Sequence, residues 1–262
     1  MRVEQLGTGE PSVAVVGGIH GDEPCGPHAV DAILDDPPAV DQPVKFVVAN
    51  EEAIARGVRY VDEDLNRAFP GDPDAETHEG RLAARLDAEL GGCRTLALHS
   101  TQSYERMFAL VDLVGAFERQ VCPRLSIDAV VETHEQNEGR IFSSVPSAIE
   151  VECGYQRSEQ AAANAVTVTE QFLAATDVLT DPPMREPQEV PVFYLGKPIP
   201  KRKADAYEVF ATNFEEVTVG EAFAAMDGES LVADESFHPV LLSPEGYSDI
   251  FGYMATLSGK LP

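Results

Sequence analysis

The chain has 262 residues, of which 44% are hydrophobic, and its formal net charge at pH 7 is −26. Acids spread along a chain of normal apolar content are typical of a folded protein with an acidic surface, which would repel the phosphate backbone of nucleic acids. The absence of any run of about 18 apolar residues excludes a membrane-spanning helix.

The first half of the chain alternates predicted strands with predicted helices. Val13 to Val16 is a short, continuous β-branched run, typical of a strand buried on both faces, and Gly17 and Gly18 end it. The following predictions are a helix over 27–34, a strand over 43–49, a short helix over 50–56, an irregular segment over 59–71, a helix over 77–90 and a strand over 95–99. This alternation predicts an α/β fold with a mixed, mostly parallel sheet flanked by helices.

The second half changes along its length from long predicted helices to short segments of alternating polarity. Helices are predicted over 109–121 and 160–175, with a strand over 148–151 between them. The proline-rich segment 181–187 predicts a seam, because prolines interrupt both regular structures. Short alternating pieces follow, which predict a small β-rich domain over 183–262 beside a larger domain over 1–182.

Three side chains with metal-binding chemistry follow or end predicted strands. His20 and Glu23 lie in the loop after the first buried strand, and His99 ends the strand over 95–99. Because the carboxyl ends of parallel strands share one edge of a sheet, these three side chains can meet there. A His, Glu, His set with an open fourth position is typical of a catalytic zinc site. For His20 and Glu23 taken alone, a glycine-rich turn with a capping acid explains the pattern equally well.

Further polar residues could complete such a site. Arg59, Asn66 and Arg67 lie in one irregular segment, for which composition alone favours a solvated surface. Glu150 and Glu152, separated by one residue on a predicted strand, face the same side and are both candidates for a general base.

Three motifs in order carry a resemblance to a known family. They are Gly18-Ile-His-Gly-Asp-Glu, Asp64-Leu-Asn-Arg and Leu98-His-Ser-Thr. Together they resemble the succinylglutamate desuccinylase/aspartoacylase family, which belongs to the wider zinc carboxypeptidase-like superfamily. The resemblance covers roughly residues 10–155.

The resemblance implies a role for each candidate residue. It implies one Zn²⁺ per chain, held by His20, Glu23 and His99. The remaining roles that it implies are substrate carboxylate binding by Asn66 and Arg67, oxyanion stabilisation by Arg59, carboxylate contact by Arg140, proton transfer by Glu150, and a tyrosine over the pocket at Tyr247. Glu152 stands where the family more often has glycine, so it stays open as an alternative base. A core or surface role stays open for Tyr247.

The resemblance also implies a reaction. It is the zinc-dependent hydrolysis of a small, anionic N-acyl amino acid, in a pocket that the 183–262 domain caps against peptides. Asp64 is open between orienting a ligand histidine and shaping its own turn. A peptide-cleaving metallocarboxypeptidase and a non-catalytic metal- or ligand-binding protein are the alternatives.

Cysteine usage and charge bear on the cellular setting. The four cysteines are far apart, without a Cys-x-x-Cys pair, which favours reduced thiols. Residues 1–7 lack the apolar segment of a signal peptide, so a cytoplasmic location is predicted. The net charge suggests the hypothesis of a halophilic source, in which salt screens self-repulsion. The oligomeric state is open, a homo-oligomer included.

Overall fold

The computed structural model describes residues 1–136, 138–183 and 185–262. The strands of these residues are β1 (Arg2–Leu6), β2 (Val13–Gly17), β3 (Val44–Val48), β4 (Arg94–Thr101), β5 (Phe108–Val111), β6 (Val130–Glu132), β7 (Ala148–Tyr155), β8 (Val190–Pro200), β9 (Tyr207–Val209), β10 (Ala222–Met226), β11 (Glu229–Val232), β12 (His238–Val240) and β13 (Ile250–Leu261). The helices are α1 (Cys25–Asp35), α2 (Glu51–Arg56), α3 (His78–Leu90), α4 (Ala116–Val121) and α5 (Glu159–Ala175). None of these described helices has the length and apolar character needed to cross a membrane.

A ten-stranded sheet forms the framework, in the order β1-β3-β2-β4-β7-β5-β6-β8-β13-β12. The pairs β3–β2, β2–β4, β4–β7, β5–β6 and β6–β8 are parallel, and the other neighbouring pairs are antiparallel. A second, antiparallel sheet has the order β11-β10-β9. The predicted fold class is confirmed, with its mixed, mostly parallel sheet and additional β structure near the carboxyl-terminal end.

The strand β2 is buried on both faces, as its continuous apolar run predicts. Val13 and Val15 belong to an apolar cluster that includes residues of α1 and α5. Ala14 and Val16 point the opposite way and join the cluster that includes α3. Alternation of side chains along the strand therefore divides the core into two layers around the sheet.

The prediction of one helix over 109–121 is wrong in its first half. Phe108–Val111 forms the fully buried strand β5, which pairs with β6 and β7, and the helix begins only at Ala116. A short apolar run fits a buried strand as well as a buried helix, and here the pairing with neighbouring strands decides. The Gly115 N–H donates to the Glu118 carboxylate at 2.8 Å and fixes the start of α4.

The carboxyl-terminal part of the chain contributes to both sheets. β8 pairs in parallel with β6, so the ten-stranded sheet continues beyond residue 183, and the division into two domains stays a prediction. A third apolar cluster, including Phe223 and Phe251, connects the three-stranded sheet with β8 and β13. Of the predicted seam over 181–187, Met184 lies outside the described residues.

Candidate active site

The loop after β2 carries His20 and Glu23 and packs closely against α2. The Gly21 N–H donates to the carbonyl oxygen of Arg59 at 3.0 Å. A Cβ atom on Gly21 would lie 2.3 Å from the carbonyl carbon of Ala53, so only glycine allows this approach. Gly21, which lies between His20 and Glu23 in the motif, thus sets where these two candidate ligands stand.

His20, Glu23 and His99 converge at the carboxyl ends of β2 and β4. The Oε1 atom of Glu23 lies 2.8 Å from His20 Nδ1, and its Oε2 atom lies 3.1 Å from His99 Nδ1. All three side chains are buried, and one potential ligand atom from each lies within 4.8 Å of the others. Two imidazoles and one carboxylate in this arrangement fit Zn²⁺ with an open position. The three predicted ligands are therefore brought together in a cluster that could hold a metal ion.

The charge state of Glu23 suits a ligand. Burial alone would raise its pKa, but His20 and then His99 hold the pKa well below its ordinary value. The backbone N–H of Ser100 also donates to Glu23 Oε2 at 3.1 Å. The side chain is consequently a carboxylate with both oxygens oriented.

Asp64 contacts the candidate ligand His20 on the side away from Glu23. Its Oδ1 atom lies 3.0 Å from His20 Nε2 and accepts the backbone N–H of Asn66 at 2.8 Å. The carboxylate therefore fills both roles that the sequence left open, since it orients a histidine and shapes its own turn. Carboxylates in this position fix the tautomer and ring orientation of a metal-binding histidine.

Arg59 joins the same network from the rim of the cleft. Its Nη1 atom donates to Glu23 Oε1 at 3.1 Å, and its Nη2 atom donates to Asp64 Oδ2 at 3.2 Å. About 40% of the side chain stays exposed, and it lines the cleft beside the candidate metal-binding cluster of His20, Glu23 and His99. The guanidinium is thus adjacent to the cluster while part of it faces the cleft.

Glu150 lies on β7, adjacent to β4, and is almost fully buried. Its Oε1 atom accepts a hydrogen bond from Asn66 Nδ2 at 2.6 Å, and its Oε2 atom accepts one from Arg140 Nη2 at 2.8 Å. The Oε1 atom also lies 3.8 Å from His99 Nε2. Burial would raise the pKa of Glu150, but Arg140 and then His99 hold it below its ordinary value. Glu150 is therefore a carboxylate beside the candidate metal-binding cluster.

Glu152, the alternative base, lines the same cleft in a different environment. It is the register partner of His99 across β4 and β7. Its Oε2 atom is buried and has no hydrogen-bond partner within the described part of the chain. Burial, together with the charges of Glu23 and Glu150, raises its pKa to about 7. The two acids thus differ, since Glu150 is held by hydrogen bonds on both carboxylate oxygens and Glu152 is not.

The residues predicted to hold substrate carboxylates all line the cleft, but their partners differ. Both polar atoms of the Asn66 side-chain amide bind protein groups: Oδ1 accepts the Ile141 N–H at 3.0 Å, and Nδ2 donates to Glu150. Arg140 is ion-paired with Glu150. Within the described residues, Arg67 makes no ion pair, and its Nη1 atom donates to the carbonyl oxygen of Asn66 at 2.6 Å.

Tyr247 reaches the cleft from the loop before β13. Burial, and then Tyr253 nearby, raises the pKa of Tyr247 to about 12, so its hydroxyl stays protonated. Lys201, which no sequence pattern indicated, donates through Nζ to the carbonyl oxygens of Pro244 at 2.8 Å and Tyr247 at 2.6 Å. This lysine therefore fixes the loop that carries the tyrosine.

Comparison with known sequences settles the family. The model of the succinylglutamate desuccinylase/aspartoacylase catalytic domain matches residues 9–175. The chain belongs to this family. It is 31% identical over 169 residues to an N-acyl-aromatic-L-amino acid amidohydrolase (carboxylate-forming) of Mus musculus, covering 55% of this chain and 49% of the mouse protein. A succinylglutamate desuccinylase of Vibrio cholerae is 36% identical over 73 residues, 26% of this chain and 21% of that protein. The chain thus matches half or less of the length of these curated relatives.

Solved structures support the fold of this desuccinylase/aspartoacylase family member. A succinylglutamate desuccinylase/aspartoacylase from Rhodobacter sphaeroides superposes with a TM-score of 0.79 at 18% identity, covering 97% of this chain and 89% of that chain. Murine aminoacylase 3 superposes with a TM-score of 0.74 at 23% identity, covering 97% of this chain and 99% of that chain. At these identities the likeness establishes the architecture.

Sequence reasoning missed one buried acid that shapes the site of this family member. Glu79, in the first turn of α3, accepts the backbone N–H groups of Val61 at 2.6 Å, Asp62 at 3.0 Å and Glu63 at 3.3 Å. It thereby holds the loop that leads into residues 64–67. The available signal was an acid at a helix amino terminus, which is more often a solvated residue beside the helix dipole.

Proposed function

We propose that this chain is a zinc-dependent hydrolase that removes the acyl group from a small N-acyl amino acid. The observation that carries the proposal is the buried cluster of His20, Glu23 and His99, with the carboxylate of Glu150 3.8 Å from His99 Nε2. The names of the mouse and Vibrio relatives describe hydrolysis of N-acyl amino acids, which supports the same class of substrate here.

The metal and one acid divide the chemistry between them. When bound, zinc would supply a Lewis acid that polarises the acyl carbonyl and acidifies water. Glu150, kept as a carboxylate by Arg140, takes the proton of the attacking water and returns it to the departing nitrogen. Asn66 and Arg140 each bind one Glu150 oxygen, and they fix the direction in which the base faces.

Two further groups would act on the reacting carbonyl and the substrate. Arg59, held beside Glu23, donates to the oxyanion that develops on the carbonyl oxygen. Arg67, which has no carboxylate partner among the described residues, grips the substrate carboxylate in a two-pronged arrangement. For Asn66 and Arg140, direct contact with substrate stays a prediction, because both bind Glu150.

The shape of the cleft favours a small substrate over a peptide. Leu241, Ser243 and Tyr247, all from the predicted carboxyl-terminal domain, line the same cleft as His20, Glu23 and His99. Tyr247 is fixed there through Lys201. We expect these residues to leave too little room for the longer chain of a peptide substrate.

The test compares substrates and one variant. Zinc-loaded protein in high salt is assayed with N-acetylated amino acids, N-succinylglutamate and a peptide with a free carboxyl terminus. We expect hydrolysis of at least one N-acyl amino acid. Glu150→Gln should reduce kcat by about 10²–10⁴-fold while zinc content stays at one per chain. Preferential cleavage of the peptide would contradict the proposed substrate class. Normal turnover by Glu150→Gln would contradict the assignment of Glu150 as the base.

A further inference from the structure

The cleft contains more carboxylates than the proposed reaction uses. Four acids line it, namely Asp22, Glu23, Glu150 and Glu152. The histidines engage Glu23, and Asn66 and Arg140 engage Glu150. In contrast, Glu152 Oε2 and Asp22 Oδ1 are buried without a hydrogen-bond partner among the described residues. Two acceptor atoms in the same cleft are therefore available to a bound ligand.

The cations of the cleft do not account for these acceptors. Arg59 donates to Glu23 and Asp64, and Arg140 donates to Glu150. Among the described residues Arg67 has no ion pair, but neither of the two acids reaches it. Among the described residues, the cleft thus presents a cation without an ion pair, Arg67, and a separate carboxylate with an unpartnered oxygen, Glu152. A ligand complementary to this pattern carries both a carboxylate and a positively charged group.

The metal does not explain Glu152 either. Among the described residues, the group of side chains that could share one ion consists of His20, Glu23 and His99. Glu152 lies beside His99 in the strand register, but it is not part of that group. A carboxylate oxygen withdrawn from water without a partner is unfavourable, and a ligand that donates to it removes this cost.

We propose that Glu152 accepts a hydrogen bond from a positively charged side chain of the substrate, so that N-acyl derivatives of basic amino acids are preferred. This proposal rests on the proposed function and gives the substrate class of the same site. Arg67 then binds the α-carboxylate, and Glu152 together with Asp22 Oδ1 receives the ammonium group. Charge-assisted hydrogen bonds of this kind discriminate strongly against a substrate that lacks the donor.

The experiment compares matched pairs of substrates that differ only in the amino group. The pairs are the Nα-acetyl derivatives of 2,4-diaminobutyrate and 2-aminobutyrate, of ornithine and norvaline, and of lysine and norleucine. For at least one pair we expect kcat/KM to favour the cationic member by about 10-fold or more. Glu152→Gln should bring that ratio to within about threefold of one. Glu245→Gln, an exposed acid on the neighbouring loop, is the matched control and should keep the ratio.

Each outcome decides the proposal. Preference for the neutral member in every pair, or a ratio that Glu152→Gln does not change, would overturn it. A Glu152→Gln variant that binds less than half the zinc of the parent would assign the residue to the metal instead. If no N-acyl amino acid is hydrolysed, the proposed function fails separately. Calorimetric binding of ornithine and norvaline to the zinc-loaded protein then tests the role of Glu152 on its own. We expect the parent to bind ornithine about 10-fold more tightly than norvaline, and Glu152→Gln to lose this difference.

Discussion

The carboxylate of Glu79 accepts a hydrogen bond from the side-chain amide of Asn50 at 2.9 Å and so connects α3 with the start of α2. Asn50 Oδ1 in turn accepts the Ala53 N–H at 3.2 Å, which caps α2. The same glutamate holds the backbone N–H groups of residues 61–63. One buried charge thus organises the helix against which the His20 loop packs and the loop that carries Asp64.

Removal of this carboxylate should destabilise the whole protein. Glu79→Ala leaves three backbone N–H groups and the Asn50 amide without their acceptor, and we expect the free energy of unfolding to fall by about 3 kcal/mol. Urea denaturation at constant high salt measures the change. Glu76→Ala, an exposed acid two residues before α3, is the control and should stay within about 0.5 kcal/mol. Equal effects of the two substitutions would contradict the assigned role.

The same residue should make stability depend on acid pH. Burial alone would raise the pKa of Glu79, but the N–H groups of Val61 and Asp62 hold it below the ordinary value of 4.5. A depressed folded pKa stabilises the protein above the unfolded value, and this stabilisation is lost as pH falls through the folded pKa. Stability below pH 4.5 should therefore fall less steeply in Glu79→Gln than in the parent. Parallel curves for the two proteins would disprove this.

Loss of the Asp64 carboxylate should weaken metal binding. Asp64→Asn keeps the shape of the side chain but removes the charge that faces His20 Nε2 at 3.0 Å. Substitutions of such orienting partners typically lower metal affinity about 10–100-fold, and we expect a change in this range. Competition with a chelator of known zinc affinity measures it. Asp74→Asn, an exposed acid, should bind zinc like the parent; if Asp64→Asn does so as well, the orienting role is wrong.

The candidate metal ligands were accessible to sequence reasoning because topology alone places them. His20 follows β2 and His99 lies near the end of β4, and parallel neighbours bring their carboxyl ends to one edge whatever the details of packing. Strand alternation offered Glu150 and Glu152 as candidate bases, the family resemblance then selected Glu150, and the structure places it on the next strand, β7. Such positions follow from strand order and need no knowledge of side-chain contacts.

Other features depend on contacts between distant segments and were missed for that reason. β5 is a four-residue apolar run whose pairing with β6 and β7 cannot be inferred from its own composition. Glu79 accepts backbone N–H groups that lie 16–18 residues away in the chain. Lys201 donates to backbone carbonyl groups that lie 43–46 residues away. Nothing in the local pattern distinguishes either residue from a solvated surface charge.

The lysine that holds the Tyr247 loop should affect substrate binding more than turnover. Lys201→Met removes the donor to the carbonyl oxygens of Pro244 and Tyr247 but keeps a long side chain. A less ordered loop should raise KM by about 3- to 10-fold with a smaller change in kcat. Steady-state kinetics on the best N-acyl substrate measure this. Lys203→Met, at an exposed position, is the control, and an unchanged KM in Lys201→Met would show that the loop needs no such support.

Salt should stabilise the protein through its charge excess. The chain has 45 acidic and 19 basic residues, so repulsion among carboxylates outweighs the surface ion pairs that salt also weakens. Raising KCl from 0.1 M to 1 M shortens the Debye length from about 10 Å to about 3 Å, and we expect the unfolding temperature to rise by at least about 5 °C. NaCl at equal ionic strength should act similarly, because screening depends on ionic strength rather than on the cation. Full stability after desalting at neutral pH, with no further gain from salt, would contradict the halophilic hypothesis.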